Sequence, residues 1–213
     1  MKKDFLSEER EIPDKVQQLF QAVIMLLYEG IDVNTLKISD ITDKAGIGKG
    51  TAYEYFESKE EVIGVAILHY VGKFLMHVEK ELEKQESFVA ALNYLFDILE
   101  KNLHERGCFL QIVHLMLGNS SMGNYLQKAI RNGQAEIPLV ILNRMVERGI
   151  EQNRIRKDYP IPYIVYTICA KVLTYAALLD MREENRPLYN EKVNMKQMRE
   201  LMIQGIRQEF CIE

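Results

Sequence analysis

Apolar residues recur at intervals of three and four through most of the chain, the spacing that lines one face of a helix. Val16, Leu19, Phe20, Val23 and Leu27 form the first such stripe. Pro13 suits the first helical position, where its missing N–H is not needed, and the segment ends near Gly30. Leu36 and Ile38 lead into two short helices, one starting at Ser39 and one over Lys49–Phe56. A long helix then runs from Ser58 to about Lys84, apolar at first and later charged (HVEKELEKQE), a run that reads as a solvated face. Ser87 caps a helix with Phe88, Ala91, Leu92, Leu95, Ile98 and Leu99 inward, ending around His104. Phe109–Leu117 is apolar all round and therefore predicted buried. Met122–Glu151 reads as one helix that Pro138 should kink or split, with Gly133 weakening the same region. Pro160 and Pro162 start a helix carrying Val165, Ile168, Cys169, Val172, Leu173, Ala176 and Leu179; Tyr163, Tyr166, Lys171 and Tyr175 are its polar-tipped members. Arg182–Asn194 reads as a charged loop, and Met195–Phe210 is the last helix. The pattern predicts an all-α chain, with a helix-turn-helix domain over 1–57 and a larger helical domain over 58–213. Residues 1–12 are charged and expected to fray.

The two short helices carry the most specific chemistry. Ser39 is read as an N-cap, followed by Asp40 where the helix dipole favours a negative charge. Ile41 and Ala45 share a face, and Gly46-Ile47-Gly48 breaks the helix, since glycine tolerates the left-handed exit. In the second helix Ala52 and Phe56 point inward, leaving Lys49, Thr51, Tyr53, Glu54 and Tyr55 outward. Two exposed tyrosines and a lysine on so short a helix fit presentation to DNA, because a helix-turn-helix places its second helix in the major groove. Ser58 with Glu61 three residues on makes a capping box. Lys59 lies in a first turn, where the dipole disfavours a cation, and is well placed if a phosphate comes close.

The string IGKGTAYEYFESKEEVI resembles the DNA-binding signature of the TetR family of bacterial transcriptional regulators. Gly46, Lys49, Gly50, Thr51, Tyr53, Tyr55, Phe56, Ser58, Lys59, Glu60 and Glu61 all match the pattern. With the preceding helix the resemblance covers the first third of the chain; the remainder carries only the family's layout of long helices. The resemblance implies that Ser39 contacts a phosphate or base, and that Lys49, Gly50 and Thr51 approach the groove. It implies that Tyr53 and Tyr55 give hydroxyls to phosphates and that Lys59 pairs with one. Such contacts position the protein, whereas base reading needs side chains on base edges. Glu54 departs from the pattern, which more often has histidine, asparagine or an aromatic residue there. It either accepts from a cytosine amino group or lies idle at the groove edge.

Charge qualifies this picture. The chain has 213 residues and a net charge of −4, with 47% hydrophobic and 27% charged residues, enough for an ample core. Over 37–59 the lysines 37, 44, 49 and 59 balance the carboxylates 40, 43, 54 and 57. DNA binding would then depend on local placement and uncharged donors, while the rest of the chain repels DNA. No apolar run follows Met1-Lys2-Lys3, so no secretory signal is expected, and charge interrupts the longest apolar segments, so no membrane helix is expected. Cys108, Cys169 and Cys211 are odd in number and far apart, which points to buried thiols in a reducing cytoplasm. Metal-ligand, catalytic and phosphate-loop motifs are missing, so neither enzyme activity nor a cofactor or metal is expected; Glu100 and His104 form one helical pair without partners.

Three readings of the larger domain remain. His114 inside an apolar helix needs a partner, supplied either by a neighbouring helix or by a ligand in a cavity. Tyr94, His114, Met116 and Tyr166 are the candidate pocket residues; His69 and His77 are structural or ligand-contacting. The last two helices have wide apolar stripes that either finish the monomer core or, as the resemblance implies, pair with their copies as a four-helix dimer interface. Ala176, Ala177 and Gly205 would allow close approach there. The preferred function is a homodimeric, effector-released repressor binding a palindromic operator. The alternatives are a regulator on the same fold acting through a protein partner, and a helical lipid- or drug-sequestering protein.

Overall fold

The computed structural model describes residues 12–101, 115, 120–132, 138–183 and 192–212. Among these the regular elements are helices: α1 (Asp14–Tyr28), α2 (Ile38–Ala45), α3 (Lys49–Tyr55), α4 (Lys59–Glu83), α5 (Phe88–Lys101), α6 (Ser121–Arg131), α7 (Pro138–Glu151), α8 (Ile161–Glu183) and α9 (Met195–Phe210). The fold is therefore all-α, an N-terminal helix-turn-helix followed by a larger helical part. The expectations for residues 1–11, His104, Cys108, the apolar helix with His114 and Met116, Gly133 and the loop 184–191 lie outside the described residues.

Local signals explain most boundaries. Gly46 closes α2 with φ 68° and Gly30 follows α1 with φ 79°, left-handed conformations that favour glycine. The Ser87 hydroxyl accepts the Ala90 amide at 3.1 Å at the start of α5, and the Asn194 side chain accepts the Gln197 amide at 3.1 Å at the start of α9. Pro138 is the first residue of α7, so the expected Met122–Glu151 helix is two helices, α6 and α7. Proline cannot donate an interior backbone bond and is comfortable in a first turn.

Two compact units form, and the division falls inside α4 after Met76. The first holds α1 to α3, the beginning of α4, and α6. Its core joins Leu19, Phe20 and Val23 of α1, Ile41 of α2, Ala52 of α3 and Phe56 to Val62, Ile63 and Ala66 of α4, and to Met122 and Leu126 of α6. Phe56, fully buried, stands 6.2 Å from the Phe20 ring, and Phe20 stands 5.2 Å from the His69 ring. His69 is thus a half-buried packing residue, while His77 is exposed.

In the second unit α7 packs on α8, and α5 and α9 both pack on α8 and on each other. Tyr175, expected as a polar-tipped member of α8, is buried; its ring meets Phe96 edge-on at 5.0 Å. Its hydroxyl donates to Glu100 at 2.5 Å. Arg199 of α9 completes the cluster, donating to Asp97 at 2.8 Å, to Glu100 at 3.0 Å and to the Asn93 carbonyl at 3.0 Å. Behind α9 the chain pairs with the α7–α8 connection, where the Arg156 amide donates to the Phe210 carbonyl at 2.8 Å and the Ile212 amide to the Arg154 carbonyl at 2.9 Å.

Two further expectations change. α4 and α8 do reach the length and apolar composition of a bilayer span, but each carries a buried face, as core helices do. Ala176, expected to allow close approach of a second copy, is fully buried within the chain, while Gly205 is half-buried, with the tip of the Lys171 side chain 3.3 Å from where a Cβ would stand. Cys169 and Cys211 are half-buried free thiols whose pKa burial pushes up.

Candidate nucleic-acid interface

The seven residues of α3 span every degree of burial. Ala52 is fully buried and Phe56, just past the helix end, anchors the exit. Lys49, Gly50, Tyr53 and Glu54 are exposed on the other side, with Tyr53 at 42%. Thr51 is half-buried. Tyr55 departs from the expected outward position: it is half-buried and packs against the core of this unit. At three residues from Ala52 and one from Phe56, its position turns the ring partly inward.

A Cβ built on Gly46, Gly48 or Gly50 would meet nothing within 4 Å among the described residues. Gly46 is required by its positive φ, but Gly50 has no internal reason to be glycine. A bare backbone at that exposed position fits close approach by an outside surface.

Ser39 is not the N-cap of α2. The cap position is Lys37, whose amide donates to Asp40 at 3.0 Å, and Ser39 lies half-buried in the first turn with its hydroxyl 3.5 Å from Asp40. Asp40 can reach back to the amide three residues earlier, which sets the helix start at Ile38. The Thr42 hydroxyl, almost fully buried, donates to the Ser39 carbonyl at 3.1 Å. At the next junction the Ser58 hydroxyl accepts the Glu61 amide at 3.1 Å, as a capping box requires. The reciprocal half is displaced by one residue: Glu61 accepts the amide of Glu57 at 2.6 Å.

The lysines of this unit are not equivalent. Lys44 pairs with Glu29 at 2.5 Å, and Lys59 lies 3.8 Å from Glu60. Lys37 and Lys49 make no ion pair with any described residue, so the even charge count over 37–59 leaves two lysines uncommitted near the α2–α3 face. Lys37 was outside the sequence-based candidates; its signal was its place directly before α2.

Of the four candidate pocket residues, Tyr94 and Tyr166 are among the described residues. Tyr166 is 61% exposed on α8, and Tyr94 is half-buried on α5 with its phenol pushed up by burial and by Glu81. A cavity of about 870 Å³ lies elsewhere in that unit, walled by Asn93, Glu100, Tyr175, Arg182, Lys196 and Arg199, and neither tyrosine lines it. Among the described residues no three His, Cys, Asp or Glu side chains converge as metal ligands.

Residues 30–65, the turn after α1 through the start of α4, match the family described as bacterial regulatory proteins, tetR family. The HTH-type transcriptional regulator YvdT of Bacillus subtilis is 33% identical over 89 residues, 41% of this chain and 45% of that protein. YfiR of the same organism, also an HTH-type transcriptional regulator, is 23% identical over 140 residues, 64% of this chain and 65% of its own length. The chain therefore spans about half to two thirds of these relatives. Among solved structures, the transcriptional regulator FadR from Bacillus subtilis in complex with stearoyl-CoA superposes with a TM-score of 0.66 at 16% identity, over 89% of this chain and 96% of that one. Over its helix-turn-helix this chain thus matches the TetR family of bacterial regulatory proteins, it is similar in sequence to HTH-type transcriptional regulators, and its fold is that of the solved regulator.

Proposed function

We propose that this chain is a homodimeric transcriptional repressor that binds a palindromic operator and is released from it by a small-molecule effector. Residues 1–57 would bind DNA, and 58–213 would bind the effector and dimerise. The observation that carries the reading is the two-sided α3: Ala52 and Phe56 locked in the core, Lys49, Gly50, Tyr53 and Glu54 exposed. Ser39 would contact a phosphate or a base, Lys49, Gly50 and Thr51 would approach the groove, the glycine because its bare backbone can come close, and Tyr53, Tyr55 and Lys59 would hold phosphates. Glu54 would accept from a cytosine amino group or stand idle at the groove edge. Two-fold pairing through α8 and α9, where Tyr163, Tyr166 and Leu201 are exposed, would match a two-fold operator.

The effector reading draws on FadR, whose structure holds stearoyl-CoA. A ligand of this chain would have to bind two conformations with different affinity to shift DNA binding. That YvdT and YfiR are named transcriptional regulators supports a cytoplasmic setting, and the reading assigns no catalytic step.

The net charge of −4 favours a second reading, a regulator on this fold that acts through a protein partner. One experiment separates them: titration of the protein against DNA flanking its coding region and against a random-sequence pool, at two salt concentrations. Tight, salt-sensitive binding that Tyr53→Ala with Lys59→Ala abolishes supports the repressor reading. Absence of any selected DNA sinks it in favour of the protein partner.

A further inference from the structure

The sequence match ends at residue 65, yet a side chain far beyond it reaches the base of the helix-turn-helix. Gly64 lies in the second turn of α4, and a Cβ built there would fall on Cδ1 and Cε1 of the Tyr125 ring, with Cγ at 3.3 Å. Tyr125 belongs to α6, whose neighbours Met122 and Leu126 are buried in the same core as Phe56 and Ala52. Gly64 has no positive φ to explain it. Among the described residues the Tyr125 ring occupies the place a side chain at Gly64 would take.

Glu61 lies one turn earlier and is 5% exposed. Its carboxylate holds the Glu57 amide, in the two-residue link between α3 and α4. The same carboxylate acts on Tyr125: burial first, then the charge of Glu61, pushes the phenol up to about 12. One ring on α6 therefore meets α4 at Gly64, beside the side chain that fixes the exit from α3.

We infer that Tyr125 is a positioning residue for DNA binding, holding the first turns of α4, and through the Glu61–Glu57 contact the recognition helix α3, in place by seating its ring on Gly64. This rests on the DNA-binding reading above. It makes α6 a part of the DNA-binding machinery, although the candidate DNA contacts lie in α2, α3 and the first turn of α4.

The test is a mutant cycle with Gly64→Ala, Tyr125→Ala, the double variant and Tyr125→Phe. Each is measured for thermal midpoint and for affinity to the DNA that the wild type selects from a random pool. In an open helix position Gly→Ala raises stability, because alanine is the better helix former. Here Gly64→Ala should lower both midpoint and affinity, the affinity by about tenfold or more. In the Tyr125→Ala background the same change should raise the midpoint and recover affinity to within about threefold of Tyr125→Ala alone, the non-additive result expected of touching residues. Tyr125→Phe keeps the ring and should bind as wild type does. Additive effects on affinity, or Gly64→Ala binding like wild type, overturn the positioning role while leaving DNA binding intact. If the wild type selects no DNA, the DNA-binding reading and the positioning role fall together, and the midpoint cycle still reads the packing contact.

Discussion

The Glu61 carboxylate accepts the backbone N–H of Glu57 at 2.6 Å across the link that ends α3 and begins α4. A carboxylate at 5% exposure is retained here because it satisfies an amide that neither helix can satisfy itself, while standing at the positive end of α4. Glu61→Ala should lower stability by about 1–2 kcal/mol, the usual worth of a helix cap. Chemical denaturation checks the value, and Glu61→Gln, which keeps an acceptor, should recover part of it.

Gly50 separates fold from function. A Cβ there meets nothing among the described residues, so Gly50→Leu should leave the thermal midpoint unchanged or slightly raised, since glycine is the poorer helix residue by about 1 kcal/mol. On DNA the same side chain would stand where the backbone must come close. Loss of binding at unchanged midpoint is the expected outcome of paired calorimetry and gel-shift measurements.

Arg199 ties α9 to α5 by ion pairs to Asp97 and Glu100 and a bond to the Asn93 carbonyl. Its side chain is 16% exposed, but the carboxylates are more open, so water will take over part of what is lost. Arg199→Ala should cost about 2 kcal/mol, less than a fully buried pair. Urea denaturation should show the loss, and Tyr175→Phe should show a smaller one, because Arg199 remains on Glu100.

The His69 imidazole is held below its ordinary value near 6.5, first by burial and then by Lys73. A histidine depressed in this way binds fewer protons folded than unfolded. Its contribution is therefore fully present above pH about 6.5 and is lost as pH falls through that value toward the folded pKa. Thermal midpoints between about pH 8 and pH 5 should decline in the wild type, and His69→Phe should flatten the part of that decline centred near the histidine value.

Leu201 is 56% exposed and Tyr166 61% exposed on the two terminal helices. If these faces meet a second copy, Leu201→Glu with Tyr166→Glu buries two unpaired charges at the interface and should give a monomer by sedimentation. Unchanged mass would remove the dimer from the proposed function.

Much of this was legible in the chain because its determinants are local. The breaks at Gly30 and Gly46, the Ser58–Glu61 and Ser87 caps, the inward pair Ala52 and Phe56 and the bounds of α9 each depend on residues within a turn or two. Sequence therefore determined the all-α class and the helix-turn-helix with its exposed α3 residues. It misplaced Ser39 as a cap because Ser39 and the Lys37–Asp40 pair are competing local solutions two residues apart, and the structure takes the second. Tertiary structure alone decided that Tyr55 turns half inward, that Tyr175 is buried against Phe96 and Glu100, and that Arg199 finds Asn93 and Asp97. It alone brought Tyr125 onto Gly64. The physical reason is that apolar stripes on different helices look alike in sequence, so which faces meet is set by how side-chain volumes and a few buried polar groups fit together in three dimensions.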